Sequence, residues 1–134
     1  SSDLKVLRVR PKHYPEVIDI DCSLESLQKE VKGPIQAVYP WDDEVALICN
    51  EEGKLHDDCM EKLNRTLDGP YGIPIDIIVG TFLIVGLTED DFGELLPEFV
   101  EKYEKMFHQP RKFVTYTDSE GKVHLDIDYC TPEE

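Results

Sequence analysis

Apolar positions along the first twenty residues fall in two short, partly alternating runs, LKVLRVR (4–10) and EVIDID (16–21), separated by PKHYP. Alternation in β-branched segments bounded by prolines predicts two strands, paired as an opening hairpin. The period then lengthens. Leu24, Leu27 and Val31 share one face of a helix, Ser23 stands where it can cap the first N–H groups, and Gly33 and Pro34 stop the helix. IQAVYPW (35–41) and VALICN (45–50) read as two further strands around the turn PWDDE. IDIIVGTFLIVG (75–86) is almost unbroken apolar sequence, which predicts one central strand buried on both faces, with Gly80 as a bulge or break.

Helical spacing returns near the C-terminal end. Thr88 is placed to cap EDDFGELL, Pro97 can open a second segment, and Phe99, Val100, Tyr103, Met106 and Phe107 form a core-facing stripe. KFVTYT (112–117) and KVHLDIDY (122–129) flank DSEG as a closing hairpin over 112–129. Its Val123, Leu125, Ile127 and Tyr129 point one way, and His124, Asp126 and Asp128 the other. Between the two halves, LHDDCMEKLNRTL (55–67) predicts a helix from Asp57 or Asp58, with Met60, Leu63 and Leu67 as its buried stripe and Asn64-Arg65 at its end. The order predicts an α+β fold: a mostly antiparallel sheet with two or three helices on one face, the first half β-grasp-like. No linker or repeat interrupts residues 1–134, so a single domain is expected.

Charge changes this picture. Asp and Glu number 29 against 14 Lys and Arg, a formal net charge of −15 in 134 residues that are 40% hydrophobic. A field of that sign repels phosphate backbones and anionic membrane surfaces and attracts basic proteins. Direct nucleic-acid or membrane binding is therefore not expected, and a basic protein partner is. No apolar run could span a bilayer, and Ser1-Ser2-Asp3 lacks a signal pattern, which predicts a cytoplasmic protein with Ser1 and Ser2 as trimmed residues. Cys22, Cys49, Cys59 and Cys130 are scattered and read as reduced thiols. The nearest metal-ligand set, Cys49, His56 and Cys59, lacks a fourth member, so no metal and no cofactor is predicted.

ICNEEGKLHDDC (48–59) concentrates acids, a histidine and two thiols, yet its first part matches a second segment. Asn50-Glu51-Glu52-Gly53-Lys54 and Asp118-Ser119-Glu120-Gly121-Lys122 both run Asx, two polar residues, Gly, Lys. Such a pattern makes a turn by side-chain acceptance of forward N–H groups, with Gly at positive φ to start the next strand. Enzyme signatures are missing: no phosphate-cradling glycine loop, no Gly-flanked nucleophilic Ser, no paired His on one helical turn. Cys49 or Cys59 with His56 could form a nucleophile and base, but an acidic setting raises a thiol's pKa. Asp42-Asp43, Asp57-Asp58 and Asp90-Asp91 suit turns and helix starts. Arg65, in so acidic a chain, is expected to pair with carboxylates.

SLESLQKEVKGPIQAVYPWDDEVALICNEEGK, LNRTL and IDIIVGTFLIVGLTEDDFGEL together resemble a bacterial family, domain of unknown function 3846, over about Lys5 to Phe107. Its motif positions here are Asn50, Glu51, Glu52, Gly53, Asn64, Arg65, Gly80, Thr81 and Phe82, while HDDCMEK departs from the pattern. The resemblance implies phages or conjugative elements, with members beside proteins that blunt host defences, and it implies no catalytic residue. Two functions follow as expectations. One is a non-enzymatic acidic interaction module, in its sharp form an anti-defence DNA mimic, whose partner is a host protein with a basic nucleic-acid-binding groove. The other is a small-ligand- or metal-binding domain, or an enzyme, built on Asn64, Arg65 and Thr81. Candidate binding residues are Asn50, Glu52, Asn64, Arg65 and Thr81.

Overall fold

A computed structural model describes residues 3–21 and 23–133, with the side chain of Pro70 left aside. Cys22, Ser1 and Ser2, for which thiol and trimming assignments were expected, lie outside the described residues. The strands β1 (Leu4–Val9) and β2 (Glu16–Ile20) form the expected antiparallel hairpin, with Leu4 opposite Ile20 and Arg8 opposite Glu16. Helix α1 (Leu24–Val31) follows, its Ser23 side chain accepting from the Ser26 N–H at 3.2 Å. Its C-terminal cap is Lys32 in the left-handed region at φ 64°, one residue before the expected Gly33. Next come β3 (Ile35–Val38) and β4 (Val45–Asn50), paired antiparallel around the predicted turn.

The remaining elements are β5 (Leu63–Asp68), β6 (Pro74–Val79), β7 (Phe82–Leu87), β8 (Phe92–Gly93), α2 (Pro97–Met106), β9 (Arg111–Thr117) and β10 (Val123–Tyr129). The central sheet has the order β2-β1-β7-β4-β3, every pairing antiparallel, with β8 added to β7. Two separate ribbons, β5-β6 and β9-β10, complete the α+β fold.

Neighbouring residues of β1, β4 and β7 are buried on opposite faces, so both faces need a cover. On one face Val6, Ala46, Ile48, Leu83 and Val85 pack with Leu27 and Val31 of α1. On the other, Leu7, Val9, Leu47, Phe82 and Ile84 pack with Tyr103 and Phe107 at α2 and with Ile78 of β6. The helices therefore lie on opposite faces, not on one. Leu24 and Met106, assigned by spacing to buried stripes, are 59% and 46% exposed at the ends of their helices.

Three further expectations are corrected. Residues 75–86 are two strands in two sheets, because Gly80 at φ 79° turns the chain between β6 and β7 and its N–H donates to the Lys62 carbonyl at 2.7 Å. Residues 57–67 hold no α-helix: a 3-10 turn at Cys59–Glu61 leads into β5, whose partner β6, beginning at Pro74, supplies the ladder bonds. Thr88 caps a tight turn, not a helix. Its hydroxyl bonds the Asp91 carbonyl and N–H at 2.9 and 3.1 Å, and β8 returns so close to Gly86 that a Cβ there would meet the Glu94 carbonyl at 2.0 Å.

Candidate functional site

The register divides the central sheet into two ends. At one, Leu4 faces Ile20 and Val45 faces Gly86, which brings together Asp21 and the first turn of α1 with the connections 39–44 and 88–91. These segments carry Asp21, Glu25, Asp42, Asp43, Glu44, Glu89, Asp90 and Asp91 and no Lys or Arg of their own. All but Asp43 are exposed. Asp43 accepts from the Tyr103 hydroxyl at 2.7 Å and from Lys102, and these bonds, Lys102's first, hold its carboxyl below the usual range. Burial and the same carboxylate push the Tyr103 phenol up. Asp91 bonds the Phe92 N–H at 2.7 Å, so at two of the three carboxylate pairs an acid serves a turn or an anchor.

At the other end sits the Asn64–Arg65 pair. Asn64 falls at a register shift in the β5-β6 ladder, between Leu63 opposite Val79 and Arg65 opposite Ile78. A bulge re-aims a side chain. Here it turns both amide hydrogens of Asn64 onto backbone carbonyls, Val9 at 2.9 Å and Gly80 at 2.8 Å, joining the ribbon to β1 and to the β6-β7 turn. The Asn64 Oδ1 accepts from Arg65 Nη1 at 2.8 Å. Arg65, 2% exposed, also donates Nε to the Phe107 carbonyl at 3.0 Å and Nη2 to the His13 carbonyl at 2.6 Å. Its partners are carbonyls, where carboxylates were expected. Burial, then the charge of Arg111, brings its pKa down to about 10, so it stays charged at neutral pH. Phe82, edge-on to Phe107 at 5.2 Å, completes the junction.

Asn50 has a comparable internal use. Its Nδ2 donates to the Val31 and Lys32 carbonyls at 3.3 Å each, closing the end of α1, while Oδ1 accepts from the Glu52 N–H at 2.8 Å. A Cβ on Gly33 would lie 2.6 Å from that amide, which is why glycine stands there. Glu52 itself is exposed. The sister turn keeps the same device, with Asp118 accepting from Glu120 and Lys122 N–H groups at 2.9 Å, but only it is a hairpin with glycine at positive φ, Gly121 at 81°. Gly53 instead starts a 3-10 turn and is buried, where a Cβ would lie 3.3 Å from the Val79 carbonyl.

Asn50, His56 and Thr81 do line one cavity of about 180 Å³, together with Gly53, Gly80 and the unforeseen Lys62. It is smaller than the ~300 Å³ at which small-molecule sites begin. Its amide and its Lys62, which pairs with Asp58 at 2.9 Å, are already engaged. Cys49 and Cys59 line two other cavities, so the suggested Cys49, His56, Cys59 set is not brought together, and no group of three potential ligands occurs among the described residues. Burial, then Asp76, pushes the Cys49 thiol up, away from nucleophilic use.

No helix among the described residues is long and apolar enough to cross a membrane. Neither curated proteins nor solved structures give a match. Residues 4–108 do match a family model, and they include every residue of the Asn64–Arg65 junction and the acidic end of the sheet. The chain therefore belongs to the family described as Domain of unknown function (DUF3846).

Proposed function

We propose that this chain is a non-enzymatic acidic interaction module of a phage or conjugative element, which engages a host protein through the carboxylate-rich end of its central sheet. The observation that carries the reading is segregation: three segments distant in sequence converge with exposed acids and no Lys or Arg of their own, Lys102 of α2 reaching in only to Asp43. The opposite end mixes Arg10, Lys12, Lys32, Lys54 and Lys62 with acids. A one-sided carboxylate array presents to a basic groove what a nucleic-acid backbone presents, so the sharp form is a DNA mimic that blunts a host defence. The internal commitments of Asn64 and Asn50 weigh against a site built on Asn64, Arg65 and Thr81 together, since the amide groups of Asn64 and Asn50 both bond backbone carbonyls of the fold.

The test is capture of basic-grooved nuclease, methyltransferase or polymerase subunits, followed by titration at low and physiological salt. Binding is expected to weaken steeply with salt, to be displaced by duplex DNA, and to disappear in a D42N/E44Q/E89Q/D90N variant. Salt-independent binding, or full binding by that variant, would sink the reading.

A further inference from the structure

A second cavity, of about 360 Å³, opens between β5, the last turn of α2 and the β9-β10 ribbon. We propose that it binds a small molecule carrying one oxyanion group, carboxylate or phosphate, joined to a flat unsaturated portion. Arg65, Lys105 and Arg111 line it, with Asp68 as the one carboxylate, already accepting from the Thr66 hydroxyl at 2.9 Å. The cavity is thus locally cationic in a chain of net charge −15.

The arginines divide by place. Arg8 and Arg10 each have a carboxylate within 4.0 Å. Among the described residues Arg65 and Arg111 have no carboxylate that close, as Lys29, Lys32, Lys112 and Lys122 have none, but Arg65 and Arg111 line this cavity together. Arg65 is a buried cation. The carbonyl oxygens it meets offset only part of its desolvation, and the charge of Arg111 adds repulsion. An anion held between them relieves both costs at once.

The walls define the rest of the ligand. The Arg111 guanidinium stacks 4.4 Å from the centre of the Tyr129 ring, which fixes the plane of its donor fork in advance of binding. Trp41, held against Tyr103 at 4.5 Å, forms another wall. The volume sits at the small end of the usual ~300–1,000 Å³ range for ligand pockets, too large for a lone phosphate and too small for a polymer. At physiological salt charges are felt over about 8 Å, so the cavity's own cations outweigh the distant acids for an anion already inside.

Trp41 is the chain's single tryptophan and so a built-in reporter. Titration with phenyl phosphate and with benzoate, followed by Trp41 fluorescence and by thermal midpoint, is expected to give a saturable response to at least one, and the preferred arm names the oxyanion. Neutral benzyl alcohol is expected to give none. Arg111→Gln should weaken binding about tenfold or more, with the unliganded midpoint unchanged or raised because a repulsion is gone; Lys105→Gln, on an exposed helical position, should weaken it less. Absence of saturation with both oxyanions, an equal response to benzyl alcohol, or unaltered binding by Arg111→Gln would overturn the proposal. A response to inorganic phosphate as strong as to phenyl phosphate would overturn the role given to the aromatic walls.

Discussion

The two ends of the central sheet use polar residues in opposite ways. At one end, Asp43 apart, carboxylates stand in solvent at two turns and a helix start, and the fold asks little of them beyond local bonds. At the other, Asn64 and Arg65 are buried and spend their donors on carbonyls of Val9, His13, Gly80 and Phe107, which belong to four different parts of the chain. The lesson is that a polar residue's visibility in sequence does not report its availability to a partner. Asn64 serves the architecture, Arg65 serves it while also lining the cavity it shares with Arg111, and acids suited to turns stand mostly exposed.

Substitutions at the two ends should separate accordingly. Arg65→Ala leaves the Phe107 and His13 carbonyls and the Asn64 amide oxygen without their donor, and should cost about 3–5 kcal/mol, read as a large drop in the denaturant midpoint. Asn64→Leu strands the Val9 and Gly80 carbonyls and removes an acceptor from Arg65, for about 2–3 kcal/mol. Double-mutant analysis of the two should show strong coupling, since one bond joins them. Gly80→Ala, in open space but at φ 79°, should cost about 1–2 kcal/mol. Asp43→Asn tests the one anchored acid. Its carboxyl is held below the ordinary value, so its contribution is present above the usual carboxylate range and lost as pH falls through the lowered value. The variant should therefore be less stable near neutrality and flatter in its acid limb, measured by thermal unfolding across pH. Smallest of all, D42N/E44Q/E89Q/D90N should move stability by less than about 0.5 kcal/mol, upward at low salt if at all.

How much of this was legible follows from the range of the interactions. Local signals sufficed for β1, β2, α1, the β3-β4 turn and the closing hairpin, because alternation, the Ser23 cap and the Asp118 turn act within a few residues. Met60, Leu63 and Leu67 satisfy helical spacing equally well. What makes 63–68 a strand is its pairing with 74–79, which no local pattern contains. Gly80 was seen as a break, but whether a break separates two halves of one strand or two sheets depends on the Lys62 carbonyl it meets. The expected carboxylate partner of Arg65 failed for a related reason: chain composition raises the odds of a nearby acid, whereas burial favours backbone oxygens that arrive already fixed in place.

The match to the family ends at residue 108, and the cavity lined by Arg65 and Arg111 straddles that border. Trp41 and Arg65 lie within the shared domain, whereas Arg111 and Tyr129 come from the ribbon that follows it. The cavity thus draws its lining both from the matched segment and from the ribbon beyond it. Altering the ribbon should reshape that cavity while leaving the carboxylate end of the sheet untouched.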